Sequence, residues 1–304
     1  MKLINQFAEF LAQEPGLSGI YKHIEFAGRT SYLSWDKMTD DSAKKFVDML
    51  IRSKHTSVLE HGTVYLYDTY DVSAIGSWRK SLGEKYSKNP YSKVTTDENM
   101  DIQGIYVTTN LRVLQENGWM DDSKYLCEPT EHHEKRYSVK VITDIGTTRE
   151  MNRQRGFSIT EQSTRYCNFS KDKFGKDITF IKPYWYDQFD EGVDDTGHRK
   201  DGTSDMYTTR DFEDYLNSVD HNYMTAIIAG MKPQQARFLL PLGTKTEAVY
   251  TAFASDWRHF FDIRLFGKTG ESHPDMIVLA NLIKHEFEKA GVWEGIMKYP
   301  SKYD

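Results

Sequence analysis

Cysteine is nearly absent. Cys127 and Cys167 are the only two in 304 residues, too few for a disulfide framework or a thiolate zinc site, and such sparing use fits a reducing compartment. Long apolar runs are missing as well. No stretch approaches the roughly 18 consecutive apolar residues of a membrane helix, and the opening MKLINQFAEFLAQEPG puts charged and polar residues where a signal peptide needs an unbroken apolar core. A cytoplasmic protein with no membrane partner is expected. Nor does one sign of charge dominate: 39 Lys and Arg against 45 Asp and Glu leave a net charge of −6, so no global field recruits nucleic acid. Tyr and Phe are plentiful, but no RNP-type motif accompanies them.

What is present describes an ordinary globular chain, with 38% hydrophobic and 28% charged residues and no internal repeat. Its length allows one or two domains, and a single domain over residues 1–304 is the expectation. Helical periodicity runs through Ala43, Phe46, Val47, Leu50 and Ile51, after Asp40 and Asp41 as candidate caps. It recurs through Phe212, Leu216, Val219, Tyr223 and Ile227, ending before Pro233. A shorter helix carries Trp257, Phe260 and Phe261. Another opens at Ser272 and Pro274 and stops at Gly291. Strands are expected at Thr63–Thr69, Tyr137–Ile145 and Ile178–Ile181. Polar stretches at Gly83–Asp101 and Asp187–Asp211 read as loops or insertions on the body. The mixed order predicts an α+β fold, a mixed or antiparallel sheet flanked by helices.

Several common sites are excluded by spacing. Gly267-Lys268-Thr269 resembles the end of a P-loop, but Asp262 stands where its first glycine is required. No G-x-G-x-x-G follows a strand, and no G-x-S-x-G elbow supports a serine hydrolase. His132 and His133 are adjacent, so they point apart on helix or strand. A polar surface patch is expected there rather than a metal site.

One segment is dense in chemistry: Arg149 to Tyr166, REMNRQRGFSITEQSTRY. Arg149, Arg153, Arg155 and Arg165 are interleaved with Ser158, Thr160, Ser163 and Thr164, and Glu161 is a carboxylate among them. Thr147 or Thr148 could cap a short helix that places Arg149 and Arg153 on one face. Each guanidinium fork can hold two phosphate oxygens, and each charge-assisted bond contributes about 1.5–3 kcal/mol. A carboxylate among them suits a pyrimidine N–H or a ribose hydroxyl. A solvated, salt-bridged surface loop is the competing reading of this composition.

The spacing closely resembles the signature of the flavin-dependent thymidylate synthases, the ThyX family: R-H-R-x-x-S-x-N-E-x-S-x-R-Y. Arg153, Arg155, Ser158, Glu161, Ser163, Arg165 and Tyr166 match, while Gln154 replaces the usual histidine and Thr160 the usual asparagine. His55-Thr56-Ser57-Val58-Leu59-Glu60-His61 resembles the family's H-x-S/T-x-x-E-H block, and AGRTSY at Ala27–Tyr32 its early motif. ARFLLPL at Ala236–Leu242 resembles A-R-x-x-L-P-L, and Trp257–Arg264 its W-x-H-F-x-x-x-R helix. The blocks occur in the family's order and the resemblance covers about two thirds of the chain, leaving the insertions near 83–135 and 187–211 without counterparts.

The resemblance implies conversion of dUMP to dTMP, with methylenetetrahydrofolate supplying the carbon, NADPH reducing bound FAD, and reduced FAD supplying the hydride. It places Glu150, Arg153, Glu161, Gln162, Ser163, Thr164, Arg165, Arg237 and Arg264 on the nucleotide, with Arg264 and Ser163 at the chemical step. Ser163 is a ligand contact rather than a nucleophile, since its motif offers no histidine or lysine partner. Ser31, His55, Ser57, Arg153, Gln154, Arg155, Glu161 and His259 would contact FAD, some across a subunit boundary, which implies a homotetramer. Phe253 and Ser255 stand where some members use polar or basic flavin contacts. Two other outcomes fit the same residues: a dUMP hydroxymethylase, if water rather than hydride meets the one-carbon adduct, and a nucleotide-binding homologue lacking flavin.

Overall fold

The computed structural model describes residues 1–71, 73, 81–97, 102–172, 175–188 and 208–303. Its strands are β1 (Lys2–Ile4), β2 (Phe7–Leu11), β3 (Thr63–Asp71), β4 (Lys93–Thr96), β5 (Ile102–Asn110), β6 (Arg136–Asp144), β7 (Ser158–Glu161), β8 (Thr179–Ile181) and β9 (Lys245–Phe253). Two antiparallel sheets carry the architecture, one in the order β2-β6-β9-β7 and one in the order β3-β5-β4, while β1 and β8 form a short parallel pair. Helices flank both sheets, as the α+β expectation requires.

Strand alternation decides what each face of the four-stranded sheet meets. Tyr137, Val139 and Val141 of β6 lie opposite Ala252, Tyr250 and Ala248 of β9. They pack on Trp257, Phe260, Phe261, Leu279, Ile283 and Phe287 of the helices Ala254–Arg264 and Pro274–Lys289. Burying each large side chain there contributes about 1.5–3 kcal/mol. The intervening Arg136, Ser138 and Thr251 belong to the opposite face, beside the helix Gly16–Arg29 and the turn Thr56–His61. A second core, with Ile24, Val47, Leu59, Leu66 and Val107, joins those two segments to the three-stranded sheet.

The four helices expected from periodicity form as Ser42–Arg52, Thr209–Ile228, Ala254–Arg264 and Pro274–Lys289. The last is capped by His273, whose ring accepts the Asp275 N–H at 3.2 Å, rather than by Ser272. The three expected strands form as well. For Gly83–Asp101 the loop half of the expectation is corrected, because its described residues carry most of the helix Leu82–Ser87 and strand β4. Leu82 and Tyr86 enter the second core, and the Tyr86 hydroxyl donates to Asp122 at 2.8 Å. Most of the 187–211 stretch lies outside the described residues. No helix among the described residues is long and apolar enough to cross a membrane.

Candidate active site

The arginine-rich segment is a helix, a turn and a strand. The Asp144 carboxylate caps the helix Ile145–Met151 by accepting the Thr147 N–H at 2.8 Å, so Thr147 and Thr148 lie inside it rather than capping it. The helix ends at Met151. Arg149 is on it and Arg153 is beyond it, and the expected shared face does not form. Residues 153–157 turn back through Gln154 N–H to Met151 O at 3.0 Å and Phe157 N–H to Gln154 O at 3.3 Å. The Phe157 ring packs on Trp257 with centroids 4.5 Å apart, tying the turn to the aromatic core. A Cβ at Gly156 would lie 2.6 Å from the Asp256 carboxyl, so a larger residue there would displace that side chain. Strand β7 then pairs with β9.

This turn forms one wall of a cavity of about 550 Å³, within the range of small-molecule sites. Five expected residues meet there: Arg153, Gln154, Arg155, His259 and Arg264. Asp256 and Lys302 complete its charge. Among the described residues, Arg153, Arg155 and Lys302 have no ion-pair partner. Arg264 is held from below, donating Nη1–H to Glu150 Oε2 at 2.8 Å and Nη2–H to the Glu150 carbonyl at 3.1 Å, while its buried Nε lacks an acceptor. The buried His259 Nδ1 also has no partner. Burial, then the Lys302 ammonium, lowers the His259 pKa, so its imidazole is neutral at pH 7. Burial raises the Asp256 pKa. The cavity is thus cationic, which favours an anionic ligand, and two nitrogens buried in its wall are unsatisfied.

Other expected residues lie apart from this cavity. Glu150 lines an adjacent one of about 390 Å³. The Glu161 carboxylate accepts from the Thr148 and Thr246 hydroxyls at 2.9 and 3.1 Å and from the Asn152 amide at 3.4 Å, with no arginine on it. Gln162 is buried with neither side-chain amide atom bonded. The Ser163 N–H donates to the Ser31 carbonyl at 3.0 Å, which joins the early motif to the signature, and Thr164 follows, half-buried. Arg165 is exposed and donates Nε–H to Gln234 at 3.4 Å, beside the exposed Arg237. His55 and Ser57 are exposed on the Thr56–His61 turn and line none of these cavities.

The other end of the His55–His61 block is buried. His61 Nδ1 is hydrogen-bonded to Thr251 Oγ1 at 2.8 Å and Nε2 to Thr160 Oγ1 at 3.0 Å. Thr251 continues to Ser138 Oγ at 2.6 Å, and Ser138 to His23 Nε2 at 2.8 Å. Arg136 lies alongside, donating to the Glu60 carbonyl at 2.9 Å and to Ser158 Oγ at 3.0 Å. Burial pushes the His23 pKa down to about 4, the His61 pKa well below its ordinary value and the Arg136 pKa to about 10. Thr160, standing where asparagine is usual, therefore still fills a hydrogen-bonding place.

Sequence reasoning missed Asp256, Lys302, His23 and Arg136. Asp256 offered one signal, an acidic residue in the first turn of the Trp257 helix. Lys302 offered none. The His132–His133 expectation needs correction in half. His132 is exposed, but His133 is 3% exposed, with its ring nitrogens on Thr130 and the Leu66 carbonyl.

Fold and cavity together define an α+β protein with a cationic cavity beside an arginine-rich turn. The chain belongs to the family described as thymidylate synthase complementing protein, the ThyX family, whose model matches residues 126–290. No curated protein matches it. Among solved structures it is similar to a UMP/dUMP methylase, PolB, from Streptomyces cacaoi. The structure bound with 5-Br dUMP gives 16% identity and a TM-score of 0.42, and the one bound with 5-Br UMP gives 14% and 0.44. In both, 98% of this chain and 96% of the other are covered.

Proposed function

We propose that this chain is a flavin-dependent thymidylate synthase, methylating dUMP at C5 with methylenetetrahydrofolate as carbon donor and NADPH as reductant of FAD. The observation that carries the reading is the cavity, where Arg153, Arg155, His259 and Arg264 meet and two buried nitrogens lack partners. Membership of the family supports it. The donor set fits FAD, because a phosphate-bearing ligand whose ring becomes anionic on reduction is stabilised by fixed positive charge in a water-poor site. Arg153, Gln154, Arg155 and His259 would hold it, with Glu161 and the separate Ser31, His55 and Ser57 completing the contact. When bound, FAD supplies the hydride.

The chain's own residues bind and orient the nucleotide. Arg264 presents its planar fork to the uracil edge and stabilises the N3-deprotonated, electron-rich ring, which favours attack by C5. Glu150 orients that fork through its carboxylate and carbonyl. Ser163, Gln162, Thr164, Arg165 and Arg237 take the rest of the nucleotide. Product analysis tests the reading: dUMP labelled with tritium at C5 is incubated with the folate, FAD and NADPH. Tritium release with a methyl product is expected, a hydroxymethyl product would shift the assignment to a hydroxymethylase, and neither product would remove it.

We extend this reading to a homotetramer. His55 and Ser57 do not reach the cavity of their own subunit, and an exposed apolar patch adjoins Arg237, with Ile228 85% and Phe238 84% exposed beside Met231, Leu239 and Leu242. Light scattering should give a tetramer, and a monomer that binds flavin tightly would contradict it.

A further inference from the structure

The described residues after the helix Trp293–Met297 turn back over the Ala254–Arg264 helix. Tyr303 stacks its ring on His259, with centroids 5.7 Å apart and planes at 15°, and its N–H donates to Ser301 Oγ at 3.1 Å. Lys302 lines the same cavity as Arg153, Arg155 and Arg264. Three cations there, Lys302 included, have no ion-pair partner among the described residues, and the one carboxylate in the wall, Asp256, forms no ion pair. Concentrating like charges around one hollow is unfavourable unless an anion occupies it. The His259–Tyr303 stack joins that cavity through His259, which lines it and whose Nδ1 is buried and unsatisfied.

We infer that Lys302 is an anion-binding residue of this cavity and that Tyr303, stacked on His259, fixes the imidazole that lines it, so that the pair helps to hold the phosphate-bearing, ring-containing ligand. The inference rests on the proposed flavin site and adds one contact, Lys302, and one positioning residue, Tyr303, that none of the family motifs contains. Ser255, on the same helix as His259, has no charge to offer. Lys302 brings that charge from a segment far away in sequence. A lysine suits this place because its flexible stem carries a point charge to a phosphate without demanding a fixed plane. His259, neutral at pH 7, can offer its ring to stacking and a nitrogen to a hydrogen bond.

The test titrates full-length wild type, Lys302→Gln, Lys302→Arg and Tyr303→Ala with FAD and separately with inorganic pyrophosphate, by calorimetry, at low and at high salt. Lys302 and Tyr303 are exposed, so thermal unfolding should be unchanged in all variants. Lys302→Gln is expected to weaken both ligands about tenfold and to flatten the salt dependence, with Lys302→Arg restoring most of the loss. Tyr303→Ala should weaken FAD several-fold and leave pyrophosphate unaffected. Wild-type affinities in Lys302→Gln overturn the inference and leave the flavin reading standing. Failure of the wild type to bind either ligand overturns both.

Discussion

The two sides of strand β7 handle polar groups in opposite ways. On the side facing the helix Gly16–Arg29, the line His23–Ser138–Thr251–His61–Thr160 is buried, and each of its links is a hydrogen bond of 2.6–3.0 Å. At the turn leading into β7, Arg153 and Arg155 lie beside Lys302 without ion-pair partners among the described residues, next to two unsatisfied buried nitrogens. The bonded line secures the strand, and Arg136 Nε beside it is a buried nitrogen without a partner. The open side instead gathers cations that no carboxylate among the described residues pairs. The two sides nevertheless share one signature, since Thr160 on the closed side and Arg153 and Arg155 on the open side all lie within it.

The sharpest way to break this contrast is at Arg264, which belongs to both descriptions because Glu150 anchors it while its Nε stays free. Arg264→Ala should cut thymidylate formation about 1,000-fold, the scale of losing one preorganised donor at developing charge, with FAD binding and thermal unfolding nearly unchanged. Arg264→Lys should recover little, since a point charge cannot reproduce the fork. Steady-state assays of both variants check this, and near-normal turnover in the alanine variant would reduce Arg264 to a structural partner of Glu150.

Acid should act on the closed side first. His23 is neutral in the fold with its pKa near 4, while in the unfolded chain it titrates near 6.5. Its contribution is therefore complete above about pH 6.5 and is lost as pH falls toward 4, amounting to about 3 kcal/mol across that window. Urea unfolding at pH 7, 5.5 and 4.5 should show the decline, and His23→Gln should flatten it. His61→Leu tests the same side by removal. Thr160 loses its only bonded partner while Thr251 keeps Ser138, so a destabilisation of about 2 kcal/mol is expected from one buried hydroxyl left unpaired, again read by urea unfolding.

The smallest effect is expected at Gln154, buried in the cavity wall where the family signature carries histidine. Gln154→His should leave FAD affinity within about threefold of wild type by fluorescence titration. A folded variant that no longer binds FAD would mean that the turn has been rebuilt around glutamine.

Much of the frame was legible in the sequence, for reasons that also explain the gaps. The helices at 42–52, 209–228 and 274–289 bury one clear stripe each. The helix Gly16–Arg29 escaped because its buried face includes His23 and Glu25, polar residues that blur the stripe. Strand β9 escaped because it is central and covered on both faces, so Lys245–Phe253 shows no in-out alternation, and it buries Thr246, Glu247 and Thr251 along with its apolar residues. For the site, motif spacing brought out Arg153, Arg155, His259 and Arg264, which do converge. It could not distinguish the paired Arg264 from the unpaired Arg153, nor reach Lys302, because both depend on long-range packing that no local pattern records.

Whether the unpaired cations of the open side hold the flavin's phosphates is tested most directly by comparing FAD with riboflavin, titrated into the flavin-free protein at several salt concentrations. The predicted result is that FAD binds at least about tenfold more tightly than riboflavin, with the excess shrinking as salt rises, because charge-assisted contacts to the phosphates account for it. Equal affinities for the two ligands, independent of salt, would contradict the account.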